Sequence, residues 1–147
     1  MRDTHRVMSE ESTTLDLVAQ TQRLERATNA RDFDALMSHY TPDAEIDNSV
    51  GGLGILEGRA AIRGFFEEWI AVYEEYTFEF EEIHDFGRSV ALGVANLRGR
   101  LPGSTARVQL RYAAVTTFRG GLIEHQTNYT DIDEARAAAE RLAEERG

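Results

Sequence analysis

Apolar residues recur every three or four positions in the first half of the chain, a period typical of amphipathic helices. One helix is predicted from about Leu15. A second, short helix follows Asp32 and is stopped by Pro42, because proline cannot continue the hydrogen-bond ladder. A third runs from Glu57 to about Tyr73. The apolar face of the second helix consists of Phe33, Leu36, Met37 and Tyr40. The apolar face of the third helix consists of Ile62, Phe65, Phe66, Trp69, Ile70 and Tyr73.

Strand patterns dominate the rest of the chain. A brief strand, Ala44–Asn48, and a glycine-rich loop, Ser49–Leu56, precede the third helix, and an alanine-rich helix from about Asp133 to Glu145 closes the chain. The longer strands, rich in alternating, β-branched or aromatic residues, are Thr77–Asp85, Arg88–Arg100, Ala106–Phe118 and Leu122–Thr130. Helices followed by hairpin-linked strands favour an α+β architecture, with one face of a curved, mostly antiparallel sheet packed on the helices.

Length and composition restrict the class of protein. The 147 residues suffice for one domain, predicted over residues 13–147, while the polar residues 1–12 predict a disordered leader. The absence of cysteine makes a cytoplasmic location the simplest. The net charge of −10 disfavours nucleic acid and anionic membranes as partners. A small apolar or weakly polar molecule is the expected partner.

An acid-rich stretch allows two interpretations. Its members could form a cation site, or they could be a solvated helix end and strand edge, which the usual exposure of glutamate favours: Glu74, Glu75, Glu79, Glu81 and Glu82. No HxH or HExxH spacing occurs, and the glycine-rich loop lacks the spacing of a phosphate cradle. Neither a metal site nor a cofactor is predicted.

Three segments resemble the SnoaL-like branch of the nuclear transport factor 2-like superfamily: NARDFDALMSHYTPDAEID, EGRAAIRGFF and TTFRGGLIEHQTNYTDIDEARAA. With their order and spacing, the resemblance covers nearly the whole chain after residue 15. It implies a cone-shaped α+β barrel with a deep, mostly apolar pocket, and a homodimer through the sheet. Polyketide cyclases, steroid isomerases and limonene epoxide hydrolases share this fold, so the fold alone does not fix the reaction.

The catalytic positions of those relatives carry other residues here. Where steroid isomerases have an aspartate base and a tyrosine donor, the match gives Asn48 and Leu24. The match to limonene epoxide hydrolases puts Asn128 in place of a catalytic aspartate. In the EHWD pattern of polyketide cyclases, Gln126 and Thr127 replace the last two residues. None of the three reactions therefore finds its charged groups at the expected positions.

Strand alternation, combined with the resemblance, predicts a cavity lined by apolar groups and neutral amides. Phe66 and Trp69 form its floor, and Gln126 and Asn128 point inward from the last strand. On the strand predicted over Arg88–Arg100, the expected inner face consists of Val90, Leu92, Val94 and Asn96. On the strand predicted over Ala106–Phe118, it consists of Val108, Leu110, Tyr112, Ala114, Thr116 and Phe118. The candidate ligand-binding residues are Asn48, Asn128, Gln126, Trp69, Phe66, Tyr112 and Asn96. Alternatively, the amides are structural groups with protein partners.

The opposite face of the sheet has two interpretations, ordinary solvent surface or a sheet-to-sheet dimer contact. It would carry Arg107, Gln109, Arg111, Ala113, Val115 and Thr117. The candidate catalytic residues are His125, Asp131 and His84, of which the first two turn inward only if a bulge shifts the last strand.

The sequence thus predicts a pocket protein for an apolar, cyclic, oxygenated compound. It is either an isomerase, cyclase or hydrolase, or a non-catalytic ligand-binding or dimerisation module.

Overall fold

The computed structural model describes residues 17–146, so the leader predicted over residues 1–12 lies outside the described part. The described helices are α1 (Leu17–Asn29), α2 (Phe33–Met37), α3 (Arg59–Ala71) and α4 (Ile132–Arg146). The described strands are β1 (Tyr40–Asp47), β2 (Ile55–Glu57), β3 (Glu75–Gly87), β4 (Val90–Arg100), β5 (Arg107–Arg119) and β6 (Leu122–Tyr129). No helix among these combines the length and the apolar character needed to cross a membrane.

The strands form one sheet in the order β2-β1-β6-β5-β4-β3. Neighbouring strands are antiparallel except β1 and β6, which are parallel. The predicted α+β architecture with a mostly antiparallel sheet is confirmed, although the sheet stays open between its edges β2 and β3.

The start of β1 differs from the prediction. Tyr40 was expected on the second helix, but α2 ends at Met37 and Tyr40 begins the strand, which continues through Pro42. The pairing of β1 with β6 shifts register between Tyr40 and Glu45. Such an irregularity accommodates a proline, which has no N–H to donate to a neighbouring strand.

The predicted loop after β1 contains more structure than expected. Ser49–Gly51 forms a short 3-10 turn, and β2 pairs with β1. The backbone N–H of Asn48 donates to the Gly54 carbonyl (2.7 Å), and the Leu53 N–H donates to the Asn48 carbonyl (3.0 Å). Gly54 has a φ of 84°, which favours glycine. The backbone of Asn48 therefore closes the loop.

Hydrophobic residues pack on both faces of the sheet. On the inner face, α1, α2 and α3 bury Leu36, Tyr40, Ile46, Ile62, Ile83 and Phe118. On the outer face, three alanines of α4 pack against β4 and β5: Ala135, Ala139 and Ala143 against Val90, Leu92, Ala113 and Val115. This outer cluster covers only part of that face. Ala113 and Val115 are covered by α4, while Arg107, Gln109 and Arg111 remain exposed.

The predicted parity of β4 is wrong. Ala95 pairs with the inward residue Tyr112, and Asn96 pairs with the outward residue Arg111. Because directly paired residues share a face, the inner face of β4 carries Ala91, Gly93, Ala95 and Leu97. Val90 and Leu92 instead pack against α4. Alternation could not decide between the two faces, because β4 is apolar on both.

Candidate functional site

A cavity of about 200 Å³ lies between α3 and the inner face of the sheet, and we call it the outer chamber. Helix α3 supplies Phe65, Phe66 and Trp69, and β5 supplies Leu110 and Tyr112. The ends of β1 and β6 supply three amides, described below. Leu53, at the tip of the loop after β1, contributes an apolar rim and is 71% exposed.

Three aromatic rings of α3 form one wall of the outer chamber. Phe65 and Trp69 lie one helical turn apart, and their rings stack with centroids 5.9 Å apart and an interplanar angle of 26°. Phe66 contacts the same indole with centroids 6.1 Å apart. Phe66 and Trp69, which the sequence predicts as the floor of a cavity, both line this wall. A wall of ring faces and edges suits a flat, apolar ligand.

The amides of β1 and β6 form a hydrogen-bonded row, which we call the amide chain. Gln126 Nε2 donates to Asn128 Oδ1 (2.9 Å), and Asn128 Nδ2 donates to Asn48 Oδ1 (2.7 Å). Among the described residues, no partner is found for the Asn48 Nδ2 donor or the Gln126 Oε1 acceptor. Both side chains line the outer chamber. The amide chain therefore offers a ligand a free NH2 group at its Asn48 end and a free carbonyl oxygen at its Gln126 end.

The alternation of β6 places these amides inward. Gln126 pairs with Ile46 and Thr116, which both face inward, and Asn128 pairs with Ala114. β6 does contain a bulge, because Thr117 pairs with His125 while Phe118 pairs with Ile123. This bulge lies at Glu124, and residues 125–129 keep their alternation.

The structure brings none of the three candidate catalytic residues into the chamber. His125 lies on the outer face, 3.7 Å from Glu45 Oε1. Asp131 caps α4 by accepting from the Glu134 N–H (3.1 Å). His84 lies on the α4 side of the sheet, with its Nε2 2.9 Å from Glu82 Oε1.

Asn96 is also outside the chamber, contrary to its predicted position. It is 1% exposed, donates to Glu81 Oε2 (2.5 Å) and accepts from Gln109 Nε2 (3.1 Å). Its placement on the outer face follows from the β4 parity, and its hydrogen bonds make it a structural amide.

A second cavity of about 70 Å³ lies deeper in the fold, between α1, β3 and the inner face of the sheet. We call it the inner chamber. It shares Phe66, Tyr112 and Gln126 with the outer chamber. Its lining also includes Gln20 of α1 and Tyr40 of β1, which the sequence analysis did not select. The spacing offered a signal for Gln20, which lies three residues after Leu17 on the apolar face of α1.

The described lining of the two chambers contains no side chain that titrates near neutral pH. Among the described residues that line them, none is Asp, Glu, His, Lys or Arg. Burial raises the pKa of Tyr40 and of Tyr112, and the neighbouring Tyr112 raises the pKa of Tyr40 further, so both stay protonated. Residues 17–146 also contain no cluster of three or more His, Cys, Asp or Glu side chains placed to hold a metal. The lining that the structure describes can orient a ligand by hydrogen bonds but supplies no general base.

Comparisons with known proteins agree with this architecture. Residues 21–126 match the family described as SnoaL-like domain. A Catenulispora acidiphila protein with a ketosteroid isomerase-like fold, solved in complex with trimethylamine, is 18% identical with a TM-score of 0.66. The comparison covers 87% of this chain and 94% of that chain.

Two further solved structures share the fold. A proposed polyketide cyclase of Sinorhizobium meliloti is 24% identical with a TM-score of 0.59, over 72% of this chain and 89% of that chain. An LEH-like epoxide hydrolase of Mycobacterium tuberculosis is 16% identical with a TM-score of 0.63, over 84% of this chain and 89% of that chain. No curated protein matches the chain significantly by sequence. At these identities the likeness extends to the fold and not to the reaction.

Proposed function

The chain belongs to the SnoaL-like domain family, and we propose that it binds a small, apolar, cyclic compound with a hydrogen-bonding oxygen in its outer chamber. The observation that carries this proposal is the amide chain. It ends beside an aromatic wall in the Asn48 Nδ2 group, which has no partner within residues 17–146. A ring would lie against Phe65 and Trp69, and its oxygen would accept from Asn48.

The size of the chamber supports a ligand built on one ring. An apolar cavity of about 150 Å³ holds benzene, and the outer chamber measures about 200 Å³. A substituted six-membered ring is therefore the scale of ligand that the chamber favours.

Binding without acid–base turnover is the function that the geometry supports best. Isomerases, cyclases and hydrolases of this fold move protons or attack carbon, and such steps need a base or an activated nucleophile. The described lining supplies only amides, hydroxyls and apolar groups.

Turnover is the second candidate function, supported by the cyclase-like and epoxide hydrolase-like neighbours of the fold. It would have to use the Tyr112 phenol as an acid, or a water molecule held by the amide chain.

We further infer a cytoplasmic location from the cysteine-free sequence.

The test measures binding of acetophenone to the full chain by calorimetry. We expect the affinity to fall roughly three- to tenfold in Asn48→Ala and Asn128→Ala, because each substitution breaks the row that presents the donor. Asn96→Ala is the matched control, since it removes a buried amide on the outer face. Unchanged affinity in both chamber variants would sink the proposal. Mass spectrometry of the acetophenone recovered after incubation distinguishes binding from turnover. Mass spectrometry of a ligand that co-purifies with the protein identifies the natural compound.

A further inference from the structure

The inner chamber contains a buried hydrogen-bond acceptor that lacks a partner. Gln20 is 5% exposed, and its Nε2 donates to the Gly121 carbonyl (3.0 Å). Because the amide nitrogen makes that bond, the amide oxygen Oε1 points away from the Gly121 carbonyl. Gln20 Oε1 is buried and has no hydrogen-bond partner among the described residues. Because buried polar atoms in native proteins are nearly always paired, this oxygen calls for a donor that residues 17–146 do not supply.

Two tyrosines that line the same chamber have hydroxyls without a hydrogen-bond partner in the described part of the chain. Tyr40 is 2% exposed, and Tyr40 and Tyr112 both line the inner chamber. Neither hydroxyl forms a hydrogen bond with the described residues. Burial is the main cause that raises the pKa of Tyr40, and the charge that Tyr112 would carry when ionised raises it further. Both groups therefore remain phenols that can donate to a bound atom.

These three atoms specify the chemistry of an occupant. It must donate to Gln20 Oε1 and accept from the hydroxyl of Tyr40, the tyrosine that lines the inner chamber alone. A hydroxyl group does both, whereas a carbonyl oxygen cannot donate and an ammonium group cannot accept. The chamber measures about 70 Å³, roughly the liquid volume of two water molecules. It therefore has room for a substituent and not for a ring.

We propose that the inner chamber is a second subsite, which takes a hydroxyl group on a short substituent of the ring held in the outer chamber. Three residues shared by the two chambers make them neighbours: Phe66, Tyr112 and Gln126. The inference rests on the proposed function, and it narrows the ligand to a ring with an oxygen acceptor at one end and an alcohol at the other.

A pair of probes that differ by one oxygen tests the subsite. We measure binding of 4′-ethylacetophenone and 4′-(2-hydroxyethyl)acetophenone to the full chain by calorimetry. The hydroxylated probe is expected to bind roughly three- to tenfold more tightly to the wild type, because its hydroxyl satisfies otherwise unpaired groups. Tyr40→Phe and Gln20→Met are expected to remove this preference and to leave the affinity for the ethyl probe within twofold. Thr117→Val, which removes a buried hydroxyl from the outer face, should keep the preference.

The outcomes separate the two proposals. If both probes bind the wild type equally, or if Tyr40→Phe keeps the preference, the inner subsite is wrong while the outer chamber stands. If neither probe binds, or if Asn48→Ala and Asn128→Ala change neither affinity, the proposed function fails as well. A crystal structure with the hydroxylated probe must show its hydroxyl beside Gln20, and water alone at that position overturns the inference. Should Gln20→Met not fold, Tyr40→Phe decides, since it loses a single unpartnered oxygen.

Discussion

Single residues decide what the chambers can recognise, and Asn48 connects more parts than any other residue of the amide chain. Its backbone closes the loop after β1 through Gly54 and Leu53, and its side chain accepts from Asn128. The donor offered to a ligand is therefore fixed by the same residue that holds the loop. Asn48→Ala therefore removes the side-chain donor but keeps the two backbone hydrogen bonds that close the loop.

Two tyrosines give a matched test of hydroxyl pairing in the free protein. The Tyr76 hydroxyl donates to the Thr28 carbonyl, while the Tyr40 hydroxyl has no partner among the described residues. Tyr76→Phe should lower the free energy of unfolding by about 1 kcal/mol, because it removes a made hydrogen bond. Tyr40→Phe should change it by less than about 0.5 kcal/mol or raise it, since no bond is lost. Urea unfolding of the ligand-free protein measures both. An equal loss in the two variants would show that Tyr40 is paired.

The residues of the site differ in how far the sequence could predict them. Gln126 and Asn128 were predictable because β6 alternates regularly after its bulge. Asn96 was misplaced because VALGVANL is apolar on both faces, so its period carries no information about which face α4 covers. Gln20 and Tyr40 were missed because the lack of a hydrogen-bond partner is a property of three-dimensional packing. Tyr40 was also assigned to a helix that ends earlier.

The sequence predicts helix α4 and its approximate range, but it does not predict which face of the sheet the helix covers. Ala139 is fully buried in the cluster that α4 forms with β4 and β5. Ala139→Leu should therefore lower the free energy of unfolding by about 1–3 kcal/mol through overpacking. Glu140→Leu, on the exposed side of the same helix, should change it by less than about 0.5 kcal/mol. Denaturant midpoints compare the two variants, and similar effects would contradict the packing of α4 on the sheet.

The acid-rich stretch lies at the start of β3, and most of its members form ion pairs with arginines. Arg100 contacts Glu74 (2.6 Å) and Glu75 (3.1 Å), and Arg111 contacts Glu81 (2.8 Å). These arginines supply the positive charge that a bound cation would otherwise supply. The favoured interpretation of a helix end and strand edge agrees with this arrangement, although the carboxylates are paired across strands and not only solvated.

Glu81 gives this surface a pH dependence. Burial opposes ionisation of Glu81, but hydrogen bonds from Arg111 and Asn96 outweigh it and hold the pKa below the ordinary value of 4.5. A carboxylate with a lowered folded-state pKa contributes stability above the unfolded-state pKa, and this contribution is lost as pH falls through the folded-state pKa. Glu81→Gln should therefore be less stable than wild type by on the order of 1 kcal/mol at pH 6.

The difference between Glu81→Gln and wild type should shrink as the pH is lowered from 4.5. Urea unfolding at a series of pH values down to 3 measures it, with Glu140→Gln as the control for loss of an exposed carboxylate. A difference that stays constant with pH would contradict the role of Glu81.

At the scale of the whole molecule, the charged side chains that the structure describes lie outside the two chambers. The chain has a net charge of −10, yet the described lining of both chambers is uncharged. The ion pairs of Arg98, Arg100 and Arg111 lie on the other face of the same sheet. A ligand therefore meets a neutral interior, which favours uncharged compounds, while the exterior charge promotes solubility.

The outer face that α4 leaves open is the part available to a second copy of the chain. It includes the exposed residues Arg107, Gln109 and Arg111, and the ion pair between Arg98 and Glu79 (3.4 Å). We propose that the homodimer expected from the family resemblance forms here. A two-fold contact brings the same patch together with itself, and a strip of mixed charges can complement its own copy.

Charge reversal within this strip tests the dimer. Arg107→Glu should weaken self-association, because the two-fold axis brings an added negative charge of each copy near acidic residues of the other. Arg23→Glu, on the exposed side of α1, changes the net charge by the same amount and should leave association unchanged. Sedimentation equilibrium over a range of concentrations gives the dissociation constant of each variant. A wild type that stays monomeric at every concentration would contradict the dimer. Equal weakening by both substitutions would show that net repulsion, and not this face, controls association.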